Sequence, residues 1–215
     1  MHATWSLTLL VPALAAVAVP WGAWEEPTTR RAAPAAAVEA VMPRYGADRA
    51  LHLPENYREW VFIGSSLGLS YDAGPADHDM FHETLMEPTA YRHFAKTGEF
   101  RDGSMFVLML HGVERGVLPG RRGQFAGELH GVEMAVKDKG RTPEGWAYYG
   151  FGGMGGATSK TAQPAKAGSC YNCHKQHAAR DNVFLQFYPL LAQAANVKVP
   201  IQRGTDAPPA HGAKP

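Results

Sequence analysis

The two cysteines of this 215-residue chain fall in one short run, Cys170-Tyr171-Asn172-Cys173-His174. Two thiols with two residues between them, followed at once by an imidazole, form a C-x-x-C-H sequence. At this spacing both sulfurs reach neighbouring vinyl groups of one porphyrin, and the histidine turns its ring toward the iron. The expected chemistry is a c-type haem, one per chain, held by thioether bonds to Cys170 and Cys173 with His174 as proximal iron ligand. A disulfide across so short a loop would remove little chain entropy. Zinc would need two further ligands nearby, and although His177 is close, no thiol remains. A thioredoxin-like redox pair would want a βαβ setting that the flanking sequence lacks.

Haem is joined to such motifs outside the bacterial cytoplasm, so a periplasmic, exported protein is expected. Residues 1–23 fit a signal peptide or anchor: Trp5 to Val19 is apolar but short for a membrane span, and Ala16-Val17-Ala18 supplies an A-x-A cleavage pattern. No Lys or Arg precedes the apolar run, which leaves an uncleaved membrane anchor open. Residues 24–41, rich in Ala, Pro and Thr, read as a linker, and residues 198–215 as a disordered tail. Residues 42–197 remain for one folded domain, with 45% hydrophobic and 19% charged residues in the whole chain supporting a globular core. A net charge of +1 without a basic face argues against a nucleic-acid partner.

The elements that must position the motif can be read from pattern. Strands are expected over Tyr57–Leu69, Phe81–Met86, Ser104–His111, Phe125–Val136 and Trp146–Phe151. Pro88 opens a helix over Thr89–Lys96, and Gly98 closes it. Gly112–Gly123 reads as a loop, and Gly150–Gly156 as a flexible connection with no phosphate-loop signature. Val183, Phe184, Phe187, Leu190 and Leu191 recur at helical spacing, predicting a helix over Asn182–Gln193 kinked at Pro189. The fold class is α+β, a mainly antiparallel β-sheet with a few helices and one covalently bound haem.

Four runs carry a family resemblance: Tyr57-Arg58-Glu59-Trp60-Val61, Tyr91 through Gly103 (YRHFAKTGEFRDG), Gly131 through Asp138 (GVEMAVKD), and Cys170 through Leu191. In this order, ending on the haem motif, they resemble the cytochrome P-460 superfamily, which includes cytochrome c′-beta. The resemblance implies a homodimer, a five-coordinate haem and a distal side open to small molecules. Members oxidise hydroxylamine or bind nitric oxide or carbon monoxide.

Site residues carry over one at a time. Glu133 matches a distal carboxylate that acts as a base toward hydroxylamine, against the plainer reading of an exposed strand glutamate. His82 falls where the oxidases carry a distal arginine. Leu108 stands where they carry the lysine that is cross-linked to the porphyrin, and Lys96 matches a different position. Leucine has no nucleophile, so the cross-link is not expected and the resemblance moves toward c′-beta. Phe81 or Phe106 could correspond to that subgroup's distal phenylalanines. Met80, Met86 and Met154 are candidate sixth ligands, each with core packing as the plainer reading. The leading expectation is a c′-beta-like cytochrome that binds nitric oxide. The alternatives are a hydroxylamine-oxidising enzyme without the cross-link, and an electron-transfer cytochrome with an axial methionine and a redox partner protein.

Overall fold

The computed structural model describes residues 39–69, 79–153, 157–166 and 168–201. The leader, most of the linker, Met154 and the tail beyond residue 201 lie outside the described residues.

The described residues are α+β, a mainly antiparallel sheet with three α-helices among them. The strands are β1 (Leu51–His52), β2 (Val61–Leu67), β3 (Phe81–Met86), β4 (Met105–Arg115), β5 (Gln124–Lys137), β6 (Trp146–Gly150) and β7 (Thr161–Ala162). The helices are α1 (Pro88–Thr97), α2 (Tyr171–His177) and α3 (Pro189–Ala194). β2 to β6 form one five-stranded sheet in sequence order, and β1 pairs with β7.

α1 bridges β3 and β4, and its ends follow from local chemistry. Pro88 occupies the first turn, where its missing N–H costs nothing. Gly98 takes a φ of 71° at the carboxyl end, the left-handed conformation that spares glycine a Cβ clash. The cap is Glu87, fully buried, whose Oε2 accepts hydrogen bonds from Ala90 N and Thr89 Oγ1, both at 2.6 Å. Arg101 pairs with the same oxygen at 3.3 Å, and Oε1 accepts from Val41 N at 3.3 Å.

Each face of the sheet carries a core. Behind it lie Leu51, Tyr57, Trp60, Val107, Met134 and Phe151; in front, Ile63, Met86, Phe94, Phe106, Trp146 and Leu191. The hairpin β4–β5 outruns its neighbours. β3 stops opposite His111 and β6 opposite Glu133, so the stretch from Gly112 to Arg115 and its partner from Gln124 continue as a ribbon.

Several sequence expectations need amendment. Tyr57–Glu59 is a 3-10 turn, with β2 starting at Val61. Tyr57 and Trp60 are both buried, a spacing of three that suits a 3-10 turn better than an alternating strand. β4 continues to Arg115 because β5 supplies a partner as far back as Gln124, which shortens the expected loop. The helix expected over Asn182–Gln193 is divided. Asn182 has a φ of 58°, Leu185–Phe187 is a 3-10 turn, and Pro189 starts α3 instead of kinking a longer helix. α2 was not legible, since none of its residues is buried and no apolar stripe marks it.

Candidate functional site

Cys170 is the residue before α2, and Cys173 and His174 lie within it. Both cysteines are free and partly exposed. Beyond the end of the helix at His177, Asp181 and Asn182 adopt φ of 45° and 58°, a left-handed pair closed by Val183 N–H donating to Arg180 O at 2.7 Å. Asp and Asn tolerate this region better than most side chains. The turn presents the Asn182 carbonyl to His174 Nδ1 at 2.7 Å. A carbonyl only accepts, so Nδ1 carries the proton and the Nε2 lone pair is left free. Burial lowers the pKa of His174 and the Asn182 bond opposes that, leaving a neutral imidazole, the form that binds a metal. Its ring is held between Tyr148 and Phe184, with centroids 4.5 and 4.4 Å away.

Tyr148 connects this segment to the sheet. It sits opposite Ala135, which sits opposite Phe106, which sits opposite Met86. Two residues along each strand the next row on the same face is Gly150, Glu133, Leu108 and Thr84, and beyond it come Gly131, Leu110 and His82. Register therefore brings Glu133, Leu108 and His82 onto the face that carries the imidazole. The middle of this face is bare among the described residues. Glu133 and Gly150 are exposed, and a Cβ added to Gly150 would meet no atom within 4 Å.

Glu133 has no hydrogen bond or ion pair among the described residues. Its side chain is exposed, yet the protein around it desolvates the carboxyl enough to raise its pKa above the ordinary carboxylate range. His82 lines a cavity of about 30 Å³, room for about one water, with Ser65, Ser66, Thr84, Leu108 and Tyr188. Its Nδ1 is buried with no hydrogen-bond partner of good geometry among the described residues. Burial lowers the His82 pKa, with a backbone contact at Met80 working the other way, so the ring is neutral.

A porphyrin fits these residues. Two free thiols flank a neutral imidazole with an open nitrogen, and the adjoining sheet face is uncovered at a glycine. The buried Tyr148 hydroxyl has no hydrogen-bond partner among the described residues. Burial first, then the nearby Cys170, Tyr171, Asp181 and Cys173 groups, raise the Tyr148 phenol well above its usual range. A cleft of about 140 Å³ opens beside Cys170, lined also by Trp146, Ala147, Tyr148 and Lys166. Cys170, Cys173 and His174 could hold a haem here through two thioethers and the free imidazole Nε2.

Other candidates stand elsewhere. Strand alternation turns Phe81 to the opposite face from His82. Phe106 shares the face of Leu108 but packs into an aromatic core, its ring 5.5 Å from Phe100 and 5.8 Å from Trp146. Met86 is fully buried in that core. Met80 is half-buried before β3, and Lys96 is exposed on α1. Sequence reasoning missed Tyr148 and the Asn182 carbonyl. Tyr148 shares the face of Glu133 only through the β5–β6 register, which the sequence does not show, and a backbone oxygen has no signature of its own.

The family model described as Cytochrome P460 matches residues 54–185, more than half of the chain, from the turn before β2 to just past the left-handed pair. No curated protein matches the sequence.

Proposed function

This chain belongs to the cytochrome P460 family of haem cytochromes, and we propose that it is an exported c-type member of the c′-beta kind that binds nitric oxide. The observation that carries the reading is the cross-strand pair Leu108 and Glu133 on the uncovered face. An apolar side chain stands where the hydroxylamine-oxidising members have their cross-linking lysine, beside an unpaired carboxyl.

In this reading Cys170 and Cys173 would form the thioethers and His174 Nε2 would ligate the iron, and the haem would supply a metal centre for a diatomic ligand. The Asn182 carbonyl holds the imidazole in one tautomer and orientation. Leu108 keeps the ligand side apolar and limits water, while Glu133 and His82 offer a proton acceptor and a neutral ring at its margin. Met86 is committed to the core, and the five-coordinate reading assigns no methionine to the iron.

The test is an absorption spectrum of the matured protein, oxidised and reduced, with a pyridine haemochrome assay and a nitric oxide titration. Covalently bound haem, five-coordinate when ferrous and saturable by nitric oxide, is the expected result. A six-coordinate low-spin spectrum in both oxidation states would overturn the reading.

The raised pKa of unpaired Glu133 favours a second reading, oxidation of hydroxylamine with this carboxylate as base. Turnover with hydroxylamine and an artificial electron acceptor, lost in Glu133→Gln, would support it; inactivity of the wild type would end it. Export and a homodimeric state belong to the same proposal, checked by the cellular fraction holding the protein and by its mass in solution.

A further inference from the structure

We infer that Lys137 is a positioning residue for the iron-ligating imidazole, acting through Asp181 to hold the Asn182 carbonyl on His174; this rests on the reading of His174 as haem ligand. Lys137 is the last residue of β5, on the same face as Glu133 and Ala135, and is only 6% exposed. A lysine is almost never buried to that degree without a partner. Its ammonium pairs with Asp181 Oδ2, and lies 5.8 Å from the centroid of Trp146, its cross-strand neighbour. The other carboxylate oxygen, Oδ1, accepts from Trp146 Nε1 at 3.3 Å. Both oxygens of Asp181 are thus fastened to the end of the sheet by neighbouring strands.

What they fasten is a conformation that needs holding. Asp181 and Asn182 are consecutive non-glycine residues with positive φ, an arrangement that persists where surrounding contacts over-determine it. Arg180 adds a second tie, its Nη1 donating to Gly98 O at 2.9 Å. The product of the turn is one carbonyl 2.7 Å from His174 Nδ1. Such a bond fixes the rotation of the ring and makes Nε2 a stronger donor to the iron. The chain of contacts runs from a strand end to the metal's own ligand without passing through the porphyrin.

A strap that merely stabilises the fold would predict something different, and two variants separate the cases in the full chain carrying its covalent haem. In Lys137→Met the partly exposed Asp181 carboxylate loses its cation. In the double variant Lys137→Met/Asp181→Asn no charge is left unpaired, and Asn keeps both the tolerance of a positive φ and an acceptor for Trp146 Nε1. Resonance Raman of the ferrous protein reads the iron–histidine stretch, potentiometry reads the redox equilibrium, and denaturant unfolding reads the fold. The expected result is a lowered stretching frequency and about a tenfold shift of the redox equilibrium toward the ferrous form, about 59 mV for one electron, in both variants. Stability should fall in the single variant and recover in the double. Wild-type stretch and potential in both variants would overturn the inference, as would iron signals that return to wild type along with stability. Absence of covalent haem in the wild type would instead sink the reading of Cys170, Cys173 and His174 on which it rests.

Discussion

Cys170, Cys173 and His174 sit in or beside one helix of 7 residues, whereas His82, Leu108 and Glu133 come from three different strands. The first group is placed by local spacing. The second exists only because β3, β4 and β5 pair in one register, and a slip of one residue would turn each side chain to the opposite face. The helix also buries nothing of its own, with no buried residue in α2, while the strand-borne group rests on Phe106 and the aromatic core beneath it. The cysteine-bearing segment and the strand-borne row thus have different origins, so the proposed covalent attachment and the proposed ligand side can be tested by separate substitutions.

The largest effect should come from the tether. In Cys170→Ser/Cys173→Ser, covalent haem should be lost altogether, read by acid–acetone extraction, while far-ultraviolet circular dichroism keeps its strand signal. Collapse of the sheet in that variant would break the separation just drawn. The reverse disturbance is Phe106→Ala, which should cost about 3–5 kcal/mol in denaturant unfolding and alter ligand binding without preventing thioether formation. Phe106 is 6% exposed and lies two residues from Leu108 on the same face, so the loss should be felt first by the distal row.

A smaller effect is expected at Glu133. Its folded pKa is raised by desolvation, so the folded state holds its proton more tightly than the unfolded chain does. The associated stability is fully present below the ordinary carboxyl pKa and is lost as pH rises through the raised folded value. Glu133→Gln should remove that decline, and unfolding curves across the acid-to-neutral range check it. Smallest is Leu108→Lys, which puts an ammonium directly across from Glu133. An opposite charge at that distance should draw the carboxyl back toward its ordinary range, visible as a lower midpoint in a carboxyl titration followed by infrared absorption. An unmoved midpoint would mean that the two side chains diverge despite their pairing.

The same contrast governs what the sequence disclosed. C-x-x-C-H needs no fold to be read, because its chemistry is written in adjacent residues. β3 was legible to the residue, Phe81–Met86, since Glu87-Pro88 punctuates it sharply. The carry-over of Glu133, Leu108 and His82 named residues that do share a face, but their neighbours across the strands depend on register, which no single strand reveals. The carboxyl-terminal segment misled because its apolar residues match a helical period while Asn182 and Pro189 divide it. The bond from His174 to Asn182 involves a main-chain oxygen, and the only hint was that Asp and Asn accept left-handed turns.

The overhang of β4 and β5 bears on how the molecule behaves at high concentration. Past His111 the ribbon has no strand alongside it among the described residues, so its outer N–H and C=O groups are available to any passing chain. Val117 and Leu118 are exposed at its tip. Glu114, Arg115, Glu128 and His130 space charge and polarity along its edges, and Arg115 is fixed by Asp79 at 3.0 Å. The ribbon's solubility therefore rests on these side chains, and neutralising them should promote edge-to-edge aggregation while leaving the spectrum of the proposed haem untouched.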